Sequence, residues 1–196
     1  MKVAITGGIG SGKSYVCARL AARGIAVYDC DSAAKRLING SPDIRRQLTE
    51  LIGTGAYTPE GRLDKGVVAA FLLASEANAQ AINAIVHPAV ACDFIEKGAA
   101  WMECALLFES GFDRLVDRTI AVTAPESVRI ERITARDGIS EAKAREWIAR
   151  QWPQEKVRLM ADYELVNDGQ QDIDTQLDGI LAELKRAEQQ AEQTEQ

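Results

Sequence analysis

Residues 2–20 read KVAITGGIGSGKSYVCARL. Val3, Ala4, Ile5 and Thr6 form a short apolar, β-branched run that predicts a buried strand. Gly7 to Ser14 follow at once as G-x-x-x-x-G-K-[ST], the phosphate-binding loop pattern. Val16, Cys17 and Leu20 then repeat at helical spacing. Strand, glycine loop and helix are the context this motif requires, and that context argues against a glycine turn that binds nothing. The dinucleotide fingerprint fits less well, because Lys13 stands where its third glycine belongs.

Each loop residue type has a physical reason. Gly7 and Gly12 let the backbone turn tightly at positive φ. Gly8 and Gly10 let backbone N–H groups, those of Ile9 and Ser11 among them, approach an anion closely. The helix starting near Lys13 aims its free N–H groups and positive dipole end at that anion. Lys13 adds a flexible cation for β- and γ-phosphates. The Ser14 hydroxyl is placed to bind Mg²⁺, which keeps most of its other ligands as water and phosphate oxygen.

The chain of 196 residues predicts one domain, with room for an insertion. Its formal charge of −6, with no long basic run, argues against a protein that coats nucleic acid. A local basic pocket for a phosphorylated small molecule remains compatible with it. Cys17, Cys30, Cys92 and Cys104 are widely spaced without a C-x-x-C pair, which speaks against zinc and for buried, reduced thiols. Met1 leads straight into the first strand without a signal-peptide pattern. No apolar run approaches bilayer length. A cytoplasmic chain without a membrane partner is expected.

Gly24 is a plausible cap for the first helix. Ile25 to Tyr28 then predict a second strand, followed by Asp29, Cys30 and Asp31. In open α/β sheets ligands bind beyond the carboxyl ends of the strands, so these aspartates are expected on the side where the phosphate loop opens. Two readings stay open. A carboxylate here can hold Mg²⁺ through water or take the proton of an attacking hydroxyl, or the pair can be turn and N-cap residues for a helix starting at Ser32. Residues 33–98 are helical in pattern (Ala33 to Ile38, Ile44 to Ile52, Val67 to Ala74, Ala77 to Lys97), with breakers between. Such an insertion suits a substrate-holding subdomain. The only histidine, His87, lies on an apolar stretch before Pro88, where a structural role outweighs a phosphate-binding one.

Trp101 to Phe108 predict the third strand, with Glu109 at its ligand edge; Thr119 to Thr123 predict the fourth. Arg129, Arg132 and Arg136 share one face of the helix Glu126 to Arg136. Guanidinium groups match phosphate oxygens. For Arg129 a solvated ion pair is the favoured reading; for Arg136, beside the turn Asp137–Gly138, a phosphate contact. A helix from Ser140 through Trp152, one from Pro153 through Ala161, a strand Tyr163 to Val166, a turn Asn167–Gly169 and a helix Asp172 to Lys185 complete the pattern, and the Gln- and Glu-rich tail is expected to fray.

The ordered combination of ITGGIGSGKS, GIAVYDCDSAAKRL, GRLDK, IVHP, LLFESG, RDGIS, Gln151, Lys156, Ala161–Asp162 and Asn167–Gly169 resembles the dephospho-CoA kinase family, of the P-loop nucleoside-monophosphate-kinase-like group. The resemblance covers about residues 1–185. It implies an α/β fold: a three-layer α/β/α P-loop kinase core with a mostly parallel five-stranded sheet, a helical substrate-binding insertion and a short helical lid. It places the core at 1–32, 99–135 and 153–190, the acceptor subdomain at 33–98, the lid at 136–152 and a flexible tail at 187–196. The implied reaction moves the γ-phosphoryl of ATP, with Mg²⁺, to the ribose 3′-hydroxyl of dephospho-CoA. Asp31 matches the base, and Lys13, Ser14 and the loop residues Gly8 to Tyr15 match the ATP site. Arg136 matches the lid arginine, Asn167 and Gly169 the turn near adenine, and His87 and Glu109 the acceptor side. A monomer or weak homo-oligomer is implied.

Three positions depart from the family pattern. Tyr15 stands where Thr or Ser is usual, Glu103-Cys104-Ala105 replaces an Asp-containing run, and Trp147 replaces a basic lid residue. Two other functions stay in view: another small-molecule kinase of nucleoside-monophosphate or shikimate type, and a nucleotide-binding regulator without catalysis. Asp31 after the second strand speaks against the first, and intact Lys13, Ser14, Asp31 and Arg136 against the second.

Overall fold

The structure is a computed structural model that describes residues 1–194. The chain forms two compact units, Met1–Val27 with the residues from Ala100 onward, and Tyr28–Ala99.

The first unit is built on the predicted strands. The strands β1 (Val3–Thr6), β2 (Val27–Asp29), β3 (Trp101–Glu103), β4 (Arg118–Thr123) and β5 (Tyr163–Val166) form one sheet in the order β2-β3-β1-β4-β5. β1 pairs in parallel with β3 and with β4, and β4 in parallel with β5. β1 is buried along its whole length, as a central parallel strand covered on both faces must be. The helices α1 (Lys13–Ala22) and α9 (Ile173–Thr194) supply one side of the core, where Val16 and Leu20 meet Leu177 and Leu184 over Ile5 and Val122. Each such side chain contributes about 1.5–3 kcal/mol by leaving water. α1 ends as the sequence predicts, with Gly24 at φ +78° just beyond it. Gln154 opens α8 (Gln154–Met160) and accepts from the Ala124 N–H beyond β4.

Several boundaries differ from the sequence expectation. β3 stops at Glu103 rather than at Phe108. The apolar run continues as turns, in which Leu107 is fully buried and Leu106 exposed; turns can bury an apolar residue as well as a strand can. α9 runs to Thr194, so residues 187–194 of the expected tail are helical; Glu195 and Gln196 lie outside the described residues. Cys30 and Cys104 are buried, but Cys92 is exposed.

The second unit holds α2 (Cys30–Gly40), α3 (Pro42–Ile52), α4 (Lys65–Ala74) and α5 (Glu76–Glu96), with α5 packed on the other three. Its core includes Val86, Val90 and Phe94 of α5 and Ile44 and Leu48 of α3. Short polar side chains start the helices: Asp29, Ser41, Asp64 and Ser75 each accept a backbone N–H of the first turn. No helix among the described residues is long and apolar enough to cross a membrane.

Candidate active site

The phosphate loop leaves the carboxyl end of β1, between β3 and β4, where the strand order reverses. Gly12 is the N-cap of α1 at φ +95°, and a β-carbon there would collide with Asn167 Nδ2. A β-carbon on Gly7, at φ +146°, would collide likewise with the Val122 carbonyl oxygen. Gly12→Ala is therefore expected to destabilise the fold by roughly 1–3 kcal/mol and to displace Asn167. Gly24→Ala, with the same backbone sign but no atom within 4 Å, should cost less in urea denaturation; equal costs would show that Asn167 yields freely.

Gly8 and Gly10 have a role the sequence did not reveal. A β-carbon on Gly8 would lie 2.5 Å from Arg129 Nη2, and one on Gly10 2.7 Å from the Arg129 carbonyl oxygen. The loop is thus glycine-rich partly to admit Arg129. This corrects the expectation of a solvated Arg129. It is 5% exposed, on α6 (Glu126–Asp137), and its Nε donates to the Ile9 carbonyl at 2.8 Å. Burial lowers its pKa, while Glu126 acts on it in the opposite direction. A desolvated guanidinium against the loop strengthens its attraction for a polyphosphate. The available signal was spacing: Arg129 is at i, i+4 with the buried Ile133.

Arg132 completes the brace. Its Nη1 donates to the carbonyls of Gly10 (3.3 Å) and Ser11 (3.2 Å), and its Nη2 to Asn167 Oδ1 (3.1 Å). Buried Asn167, just beyond β5, donates from Nδ2 to the Ser11 carbonyl at 2.8 Å and from its backbone to the Thr123 carbonyl at 2.7 Å. From the other side Gln151 Oε1 accepts the Ile9 N–H at 2.7 Å. α7 (Glu141–Ala149) ends before the expected Trp152. Trp147 is half-buried with Ile9, Ile139 and Ile148 against Ile130, Ile133 and Ala144, so this departure from the family pattern is a packing residue.

Lys13 Nζ donates to the Gly7 carbonyl at 2.7 Å and lies 3.7 Å from Glu103 Oε1, with both side chains largely buried (12% and 16% exposed). Glu103 ends β3, the strand beside β1, so its carboxylate reaches the loop lysine. Ser14 is exposed at the start of α1. A serine hydroxyl and a glutamate carboxylate are hard oxygen donors of the kind Mg²⁺ takes. Among the described residues no group of three or more His, Cys, Asp or Glu could form an all-protein metal cage. Beyond Gly12 a cleft of about 480 Å³ is lined by Tyr15, Arg19, Arg132, Asn167 and Gly169 and bounded by Gln171, Asp172, Ile173 and Asp174. That volume is in the range of small-ligand sites.

Arg136 is exposed at the end of α6 and is held by the carboxylate of Asp137 at 2.7 Å, which raises its pKa. Glu109 is exposed in the turns after β3. In the second unit α2 starts at Cys30, two residues earlier than expected, so Asp29 and Asp31 do not share a strand face. Asp29 is the N-cap, accepting Ser32 N–H at 2.9 Å and the Ser32 hydroxyl at 2.6 Å. Asp31 is exposed in the first turn, and among the described residues its carboxylate accepts no hydrogen bond and forms no ion pair. His87 is half-buried on α5, and burial lowers its pKa, favouring the neutral ring.

A parallel sheet that opens its phosphate loop at the switch point, with lysine, serine and arginines gathered round it, belongs to the P-loop kinase class. In fold the chain is similar to the dephospho-CoA kinase from Campylobacter jejuni, with a TM-score of 0.68 over 96% of this chain and all of that one at 18% identity. It is similar also to TT1252 from Thermus thermophilus, with a TM-score of 0.81 at 32% identity over 94% of this chain and 97% of the other. The dephospho-CoA kinase of Salinibacter ruber is 39% identical over 174 residues, covering 84% of this chain and 87% of its own. The dephospho-CoA kinase family model matches residues 1–172, and the chain belongs to that family.

Proposed function

We infer that this protein phosphorylates the ribose 3′-hydroxyl of dephospho-CoA with ATP, giving CoA and ADP, the final step of coenzyme A synthesis. The observation that carries the inference is family membership over residues 1–172, with every motif residue of the phosphate loop present.

The chemistry asks for alignment and charge neutralisation more than for covalent participation. The loop amides and the N-terminus of α1 receive the β- and γ-phosphates. Lys13 exchanges its bond to the Gly7 carbonyl for phosphate oxygen. Arg129 and Arg132 hold the loop in shape and add positive charge. Ser14 and Glu103 would hold Mg²⁺, directly or through water. Bound there, the ion neutralises phosphate charge. Asp31 takes the proton of the 3′-hydroxyl as its oxygen bonds to the γ-phosphorus and the bond to the β,γ-bridging oxygen breaks, releasing ADP. Arg136 exchanges Asp137 for phosphate, within a lid at 136–152 that excludes water. Residues 33–98 hold the acceptor, with His87 and Glu109 on its side, and the turn at Asn167 and Gly169 bounds the nucleoside. The working compartment is the cytoplasm.

A coupled ADP-release assay with dephospho-CoA, AMP and shikimate as separate acceptors tests this. Turnover is expected with dephospho-CoA. Turnover with AMP or shikimate alone would assign the protein to another acceptor class, and ATP binding without turnover on any acceptor would make it a regulator.

A further inference from the structure

Tyr15 matches the ATP site by position only, without a stated role, and it stands in the wall of the cleft beyond the phosphate loop. It is 48% exposed, although it follows directly on Lys13 and Ser14. Its hydroxyl accepts from Arg19 Nε (3.2 Å) and Nη2 (2.9 Å), one helical turn further on. Arg19 in turn lies 3.3 Å from the Asp174 carboxylate on α9. The ring is therefore tied at its far end through Arg19 to a second helix. An aromatic face held in place this way loses little further freedom when something stacks on it.

We propose that Tyr15, propped by Arg19 and Asp174, is the stacking wall for the base of the phosphoryl donor and makes the enzyme selective for purine over pyrimidine nucleoside triphosphates. The cleft is lined by Gly12, where the phosphate cradle ends, and by Tyr15, Arg19 and Gly169. A triphosphate anchored on the loop thus projects its nucleoside along this ring. Base stacking on an aromatic ring tolerates sequence and draws on π-surface, and a purine offers two fused rings where a pyrimidine offers one. A Ser or Thr at this position has no such face. The proposal rests on reading the loop as the donor site.

Two measurements separate it from that reading. In steady-state assays with dephospho-CoA, Tyr15→Ser should raise KM for ATP and GTP about fivefold or more, at the lower end of base–aromatic stacking. KM for CTP, UTP and dephospho-CoA should move less than twofold. Tyr15→Phe, which keeps the ring but loses the hydroxyl bond to Arg19, should give a KM for ATP between those of wild type and Tyr15→Ser. A rise shared equally by all four triphosphates would overturn the proposal, because Tyr15 would then act through the phosphates. So would an unchanged ATP KM in Tyr15→Ser. Independently of turnover, the fluorescence of 2-aminopurine riboside triphosphate should be quenched on binding to wild type and to Tyr15→Phe but not to Tyr15→Ser. Equal quenching in all three would reject the stacking wall, whereas quenching without ADP release on dephospho-CoA would reject only the kinase reading.

Discussion

Lys13→Ala is expected to lower kcat/KM for phosphoryl transfer by about 10²–10³-fold, the effect of removing one preorganised charge donor from a transferring group. The Lys13 ammonium is largely buried, 2.7 Å from the Gly7 carbonyl and 3.7 Å from Glu103. It is thus already at the loop before substrate arrives, and little reorganisation is needed to move it onto phosphate. Lys13→Arg should not restore activity, since a planar fork cannot occupy the place of a point charge on a flexible stem. The variant removes the cation that lies 3.7 Å from Glu103, so thermal unfolding measured beside the kinetics separates lost folding from lost catalysis. A well-folded Lys13→Ala enzyme within tenfold of wild type would remove the lysine from the donor site.

Asp31→Asn should reduce kcat by about 10²–10⁴-fold, the range of a positioned general base, while KM for ATP stays within about twofold. The structure sharpens the choice between the two aspartates after β2. Asp29 is committed to Ser32 as the helix cap, and its hydrogen bonds there lower its pKa against the opposing effect of burial, which is its largest single influence. Asp31, in the first turn and exposed, is not committed to the cap in this way. Asp29→Asn should accordingly leave turnover within about twofold of wild type and cost little stability, since asparagine caps nearly as well and keeps one acceptor for Ser32. Activity of Asp31→Asn within fivefold of wild type would transfer the proton to another acceptor.

Much of this architecture was legible because its signals are local. The run Val3 to Thr6 with glycine behind it leaves the chain few options, and the helical repeats of residues 33–98 needed only their breakers to be divided correctly. Errors gathered where a local pattern admits two burials. The run Trp101 to Phe108 has one hydrophobic content whether it continues as strand or folds into turns. At Arg129 the charge pattern of α6 favours a solvated ion pair, although Arg129 shares its turn with Ile130 and Ile133. A guanidinium is costly to bury, so a sequence reading places it in water. Only the neighbouring loop carbonyl and the glycines beneath it make the buried position tenable.

By itself the sequence determined that a strand, a phosphate loop and a helix open the chain, because tight turns and anion approach demand glycine at those positions. The family pattern behind them named the acceptor. Only the tertiary structure decided which side chains hold that loop. Gln151, Arg129, Arg132 and Asn167 are separated from it by more than a hundred residues, and nothing in their local spacing says that they share hydrogen bonds with Ile9, Gly10 and Ser11. The same holds for Tyr15: the sequence marks it as a departure, and the structure sets it in the lining of the cleft, bonded to Arg19, which pairs with Asp174. Local chain stereochemistry selects the loop, while long-range packing selects what surrounds it.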